Sequence, residues 1–232
     1  RSREAHVRPD ARPVLSRAGA KGVCDGFATK GHIGGKDASS GYGGPAVSAL
    51  LAMAAFTEAN SVMDYGCGQG KLAEVVLAAQ PQLTWRGVDQ SPLMVRRFEE
   101  RMATFGDRAS VELLASGEPS DATVPPTRVD RFVSTYCLDL LSESDMFSVL
   151  DLAQRSLRPD GLLLLAGITW GWRDSLRTAF MTLIWELLYR ITRKTVGGCR
   201  PQHLAPYLRA SGWTIIEERR TLPAGFPWMV SE

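Results

Sequence analysis

Several features that mark large functional classes are scarce in this sequence. Net charge is nearly absent: 27 Lys and Arg against 25 Asp and Glu leave +2 over 232 residues. No dense Lys/Arg cluster with interleaved aromatics occurs, which argues against a nucleic-acid footprint and leaves a small molecule as the expected partner. Cysteine is sparse and dispersed. Cys24, Cys67, Cys137 and Cys199 form no CxxC pair and have no His at ligand spacing, so neither a metal site nor a disulfide framework is expected. Four scattered thiols fit a reducing compartment, taken as the cytoplasm. Long apolar runs are missing too. The best candidate, residues 179–188, falls short of the roughly 18 residues a membrane span needs and carries Glu186, so no transmembrane segment is expected.

What is present suits one sizeable core, since 44% of the residues are apolar. A single domain is expected over residues 25–232, divided into a cap segment (25–60), a core (61–168), a helical insertion (169–200) and C-terminal strands (201–232). Residues 1–24 are Arg-rich and acid-poor and read as a flexible tail, with the remnant of an organellar transit peptide as the alternative. A first helix is expected over 45–59, with Pro45 at a favourable first-turn position. Strands and helices then alternate: strand 61–65, helix 71–79, strand 83–88, helix 91–105 opened by Ser91-Pro92, strand 111–115, strand 131–136, helix 143–157. Arg158-Pro159-Asp160-Gly161 ends that helix, and strand 162–166 is so apolar that both its faces must be covered. Such alternation implies parallel pairing, right-handed crossovers and a doubly wound α/β sheet with helices on both faces. After Gly167 the pattern changes to a long helix (173–192), a short one (202–210) and a strand (213–219) facing a last strand (228–230).

The stretch VMDYGCGQGKLAEVVLAAQ sets three glycines within five residues between a strand and a helix. A glycine-rich turn there lets a ligand lie against bare backbone at the helix N-terminus. Gly66, Gly68 and Gly70 supply that turn. Asp89 closes the next strand, near the offset of about 20 residues at which a carboxylate meets a ribose in a Rossmann-like half. Ser116-Gly117-Glu118 follows the third strand and Ser134-Thr135-Tyr136 ends the fourth. All four places lie at carboxyl ends of strands, where open α/β sheets bind ligands.

This constellation resembles the class I S-adenosylmethionine-dependent methyltransferases over roughly residues 46–232, through Asp64-Tyr65-Gly66-Cys67-Gly68-Gln69-Gly70, through Asp89, and through the run LRPDGLLLLAG. The resemblance implies a Rossmann-like, seven-stranded sheet of order 3-2-1-4-5-7-6 with the last strand antiparallel. It implies S-adenosylmethionine as cofactor, with the Gly66, Cys67, Gly68 and Gly70 backbone beneath its methionine part. Asp64 would orient the loop and approach the ammonium, and Asp89 would take both ribose hydroxyls. Gln90 and Met94 would flank the adenine, Met94 reading equally well as helix core. The family commonly has Asp after the third strand; here Ser116, Gly117 and Glu118 stand there, and the adenine contact stays open among them. Ser134 completes the set. Gly68-Gln69-Gly70-Lys71-Leu72-Ala73 also satisfies GxGxxA, so a nicotinamide-dependent oxidoreductase is a competing reading, disfavoured by the Asp64 carboxylate that would oppose a pyrophosphate. A non-catalytic, methyltransferase-like scaffold subunit is a third.

The implied reaction is in-line methyl transfer to a small lipophilic or aromatic acceptor, the methylated atom being carbon, oxygen, nitrogen or sulfur. Catalysis then rests on alignment, with a general base needed only for a protonated acceptor. Tyr42, Tyr136 and His203 are the candidates, with Asp139 nearby. The insertion TWGWRDSLRTAFMTLIWELLYRITRK is apolar over more than one stripe, too much for a simple surface helix. It reads as packing on the sheet edge or on a second subunit, making a homodimer conceivable, or as a lid over the acceptor. The segments VGGCRPQHLAPYLRASGWTIIEERR and GFPWMV are loosely similar to the ubiquinone/menaquinone-biosynthesis-type branch of the class.

Overall fold

A computed structural model of the chain describes residues 44–114, 119, 122–169, 176–191, 201–221 and 230–231. The apolar runs become parallel strands β1 (Ser61–Tyr65), β2 (Thr84–Asp89), β3 (Ala109–Leu113), β4 (Val129–Thr135) and β5 (Leu157–Ala166), in spatial order β3-β2-β1-β4-β5. The chain builds outward from β1 to β3, returns, and continues through β4 on the other side. The carboxyl ends of β1 and β4 therefore bound the crevice where strand order reverses.

The described α-helices are α1 (Gly44–Met53), α2 (Lys71–Ala79), α3 (Pro92–Met102), α4 (Glu143–Ser156), α5 (Leu176–Ile191) and α6 (Leu204–Ala210). The pleat sorts neighbouring residues onto opposite faces. Val62, Trp85 and Val133 pack with Leu50, Val76, Leu77 and Phe98 on one side. Met63, Tyr65, Val88 and Phe132 pack with Met146, Val149 and Leu152 on the other. The sheet is thus covered on both faces, α1 to α3 opposite α4 and α6. Local signals start the helices: the Ser91 hydroxyl accepts the Met94 N–H at 3.4 Å with Pro92 in the first turn, and Ser142 accepts the Asp145 N–H at 3.2 Å.

Among the described residues the main sheet has five strands, in the expected order 3-2-1-4-5. Two expectations need correction. Residues 213–220 form no strand, although their alternating pattern suggests one: they face the β5 edge across a cavity of about 230 Å³ and have no ladder to join. The last strand, β7 (Val230–Ser231), instead pairs antiparallel with β6 (Ile168–Thr169), one residue beyond β5. A smaller difference concerns Arg158-Pro159-Asp160-Gly161, which lies within β5. The register there jumps from Val129 opposite Leu157 to Arg131 opposite Leu162, so the turn-like sequence is accommodated as an irregularity in an edge strand.

The amino end of the sheet is tied by Asp130 and Arg131. Asp130 accepts from the Asn60 and Ser61 N–H groups and the Ser61 hydroxyl at 2.8–3.1 Å, and from Arg158 at 2.9 Å. Burial alone would raise its pKa, but these donors outweigh that and hold it below the ordinary carboxylate value. The buried Arg131 guanidinium donates to the carbonyls of Ala54 at 2.7 Å, Ala55 at 2.9 Å and Asp130 at 2.9 Å, fastening the end of α1 to β4. Arg131→Met fills similar space but leaves buried carbonyls without donors. It is expected to cost about 2–4 kcal/mol, read as a lower urea midpoint at unchanged slope; a loss under about 1 kcal/mol would show that this clamp is dispensable.

Candidate functional site

The loop between β1 and α2 is stitched to β2. The N–H groups of Gly66 and Cys67 both donate to the Val88 carbonyl, at 2.8 and 3.1 Å. Asp89, half-buried at the end of β2, then holds two segments at once: one carboxylate oxygen accepts the Gly68 N–H at 2.9 Å and the other the Ser91 N–H at 2.8 Å. The loop and the start of α3 are therefore registered by one side chain.

Two of the loop glycines are required by packing as well as by backbone. Gly66 has φ +75°, and a Cβ there would meet the Cys137 Sγ at 2.5 Å. Gly70 has φ +77°, and its Cβ would run into Phe98 of α3 at 2.8 Å. Gly68, at φ +53°, is different: nothing lies within 4 Å of the position its Cβ would occupy. The middle of the loop faces open space, as an approach to bare backbone demands. Gly70 offers no side-chain cap to α2, so the first-turn N–H groups of that helix have no capping side chain. On the outer side, Arg101 of α3 donates to the Gln69 carbonyl at 2.9 Å and pairs with Glu74 at 2.5 Å.

Beneath the loop the polar groups are incompletely matched. Asp64 is 1% exposed and its Oδ1 has no hydrogen-bond partner. Burial drives its pKa up to about 7; the Trp85 indole opposes the rise but falls short of hydrogen-bond geometry, and the Asp89 charge adds to it. The Cys67 Sγ fills the space where a Gly87 side chain would stand. Burial pushes the Cys67 thiol far up and the Cys137 thiol to about 12, so both stay protonated and neither is an activated nucleophile.

Other expected site residues fall around the same crevice. Gln90 is exposed next to Asp89, and Met94 is half-buried on the first turn of α3. Ser134 lies at the end of β4 with its hydroxyl donated to the Tyr65 carbonyl at 2.8 Å, a cross-strand tie that occupies the proton. Tyr136 follows β4 with a left-handed backbone, φ 52°, and donates its N–H to Ala166 at 2.7 Å. Such a conformation costs a non-glycine residue of order 1 kcal/mol and is held here at the crevice. His203 precedes α6, its Nδ1 3.2 Å from the Thr169 hydroxyl, so it stands past β5 rather than beside the loop. Tyr42, Ser116, Gly117 and Glu118 lie outside the described residues.

Sequence spacing pointed to none of the groups that shape the loop from a distance: Cys137 behind Gly66, Phe98 against Gly70, Arg101 on Gln69. It also missed Gln202, whose N–H donates to the Ile168 carbonyl at 2.8 Å and whose amide reaches Leu138 O at 3.4 Å. Gln202 and Asp139 are both buried, and the oxygens of both side chains lack partners. Burial raises the Asp139 pKa to about 6.

Residues 62–161 match the protein family described as a methyltransferase domain. No curated protein matches the sequence. Among solved structures, the chain is similar to a mitomycin 7-O-methyltransferase, at TM-score 0.59 and 22% identity over 82% of this chain and 53% of that one. It is similar to an O-methyltransferase family protein from Burkholderia thailandensis, at TM-score 0.62 and 18% identity over 82% and 54%. A mycolic acid cyclopropane synthase complexed with SAH and CTAB matches at TM-score 0.61 and 19% identity over 78% and 64%. The chain spans about half the length of the first two of these proteins. At such identities the likeness establishes the fold.

The Asp64 carboxyl makes stability depend on pH. Its folded value, about 7, lies above the ordinary 3.8, so the native chain binds the extra proton between them. The associated stability is present below about pH 4 and is lost as pH rises through 7. Asp64→Asn is expected to be more stable than the parent protein at pH 8, by about 1–3 kcal/mol, with the gap closing toward pH 4. Thermal unfolding of both proteins across that range checks it; a gap independent of pH would show that Asp64 is not the titrating group.

Proposed function

We propose that this chain, whose residues 62–161 match a methyltransferase domain, is a class I methyltransferase that binds S-adenosylmethionine and passes its methyl group to a small lipophilic or aromatic acceptor. The observation that carries the reading is the Asp89 carboxylate holding the Gly68 N–H at 2.9 Å beside a loop whose middle opens to free space. Each carboxylate oxygen accepts one N–H and keeps a further lone pair, which suits Asp89 to a vicinal diol. The unpartnered Asp64 Oδ1 beneath the same loop favours a cationic group above it. These residues fit the cofactor, with Gln90 and Met94 placed to border its base.

Bound S-adenosylmethionine supplies a methyl group already activated on a sulfonium. The chain's own residues then have to align the acceptor and exclude water. Tyr136 is the better placed of the described base candidates, because its strained backbone fixes its position at the end of β4, beside the loop. A pyrophosphate cofactor suits the site less: the buried Asp64 carboxylate would oppose its charge. The intact loop likewise gives a pure scaffold no advantage. The seven-strand order 3-2-1-4-5-7-6 belongs to the same proposal, supported by the antiparallel pairing of β7 with β6, which begins one residue after β5, and by the open slot between β5 and residues 213–219.

Calorimetric titration with S-adenosylmethionine, S-adenosylhomocysteine and NADH tests the reading. Micromolar binding of the first two and none of NADH is expected. Asp89→Ala should weaken S-adenosylhomocysteine about 10- to 100-fold, the loss of charge-assisted hydrogen bonds. NADH binding alone, or undiminished affinity in the variant, would overturn it.

A further inference from the structure

Three segments are laced together past the carboxyl ends of β4 and β5. The Gln202 N–H donates to the Ile168 carbonyl at 2.8 Å, its side-chain amide reaches the Leu138 carbonyl at 3.4 Å, and the His203 Nδ1 stands 3.2 Å from the Thr169 hydroxyl. Two side chains in these segments are left wanting. Asp139 is 2% and Gln202 6% exposed, and among the described residues neither carboxylate oxygen of the first nor the amide oxygen of the second has a hydrogen-bond partner. The Ile168 N–H acts on the Asp139 carboxyl but falls short of hydrogen-bond geometry. Each buried acceptor without a donor costs about 1–3 kcal/mol, more where it is charged, unless a ligand brings the donor.

The surroundings give the sign of that ligand. Cys137, two residues before Asp139, lies against Gly66, and the charges of Asp139, Asp89 and Asp64 all act on its thiol. Asp139 therefore shares the acidic neighbourhood of the glycine loop. No basic side chain figures among the groups acting on either Asp64 or Asp139. The cofactor's ammonium answers Asp64 in the methyl-transfer reading, and Asp139 is left over. A hydroxyl would bring a single donor to its oxygens and that of Gln202. A protonated amine brings up to three, together with the compensating charge. A metal ion suits the place less, since no three His, Cys, Asp or Glu side chains gather at ligand spacing among the described residues.

We propose that Asp139 and Gln202 bind a protonated amino group of the methyl acceptor, holding it past the carboxyl ends of β4 and β5. The inference rests on the methyl-transfer reading for the role of the ligand, and on the side chains alone for its chemistry.

Ligand-observed NMR titration of the full chain tests it, with and without saturating S-adenosylhomocysteine. The probes are benzylamine, phenethylamine and tryptamine against the matched alcohols, benzyl alcohol, phenethyl alcohol and tryptophol. At neutral pH one or more of the amines is expected to bind about tenfold tighter than its alcohol, the gain of a charge-assisted hydrogen bond. Asp139→Asn keeps the shape and should shrink that gap to about twofold or less, with the unfolding temperature and the S-adenosylhomocysteine affinity retained. Gln202→Met should weaken the amines about threefold or more. Absence of any preference for amines overturns the proposal, as does a preference that Asp139→Asn leaves intact. A loss of S-adenosylhomocysteine affinity in Asp139→Asn as large as the loss for the amines also overturns it, because the carboxyl would then serve the cofactor. S-adenosylhomocysteine binding without amine preference defeats this inference alone. Amine preference without S-adenosylhomocysteine binding defeats the methyl-transfer reading and leaves the amine site standing.

Discussion

The arrangement at the carboxyl end of the sheet depends on the Asp89 carboxylate. Through one oxygen it fixes the glycine loop, through the other the start of α3. Helix α3 in turn presses Phe98 against Gly70 and anchors the Gln69 carbonyl with Arg101. The loop is thus held from its inner and outer sides. Glycine here gives conformational reach without mobility: positive φ angles let the backbone make the turn, and the surrounding contacts then remove the freedom. Only at Gly68 is the space left empty.

Buried acids at the two ends of the sheet have opposite fates. Asp130, at the start of β4, receives four donors and is held in its charged form. Asp64, at the carboxyl end of β1, and Asp139, just past that of β4, are more deeply buried and carry oxygens without partners, and burial pushes both toward the neutral form. Stability is concentrated at one end and unmet polar demand at the other. That asymmetry is what a scaffold carrying a ligand site at its strand termini entails, since groups satisfied internally have nothing left to offer a ligand.

Much of this was legible in the sequence. Strands β1, β2 and β4 are legible as short segments rich in β-branched, aromatic and other apolar residues between turn signals, and the Asp64, glycine-loop and Asp89 spacing is local enough to survive without tertiary information. The Ser91-Pro92 start of α3 reads equally well, because capping is a short-range interaction. Residues 213–219 mislead for the complementary reason: alternation describes a segment fit for a sheet, but a strand exists only where a neighbour supplies the ladder. The Arg158-Pro159-Asp160-Gly161 run is a middle case. It reads as a turn and does break the register, yet an edge strand tolerates it. Cys137, Phe98 and Arg101 were illegible as loop supports because no periodicity links them to the glycines they touch.

The two sulfurs packed about the loop have a chemical consequence. Under the proposed methyl-transfer reading, cysteines beside the glycine loop would be at risk of alkylation by an electrophilic methyl group. Thiolates would be the victims, and burial among carboxylates suppresses thiolate formation at both Cys67 and Cys137. Burial first, and the neighbouring aspartate charges second, therefore keep the sulfur lining of the loop protonated and poorly nucleophilic.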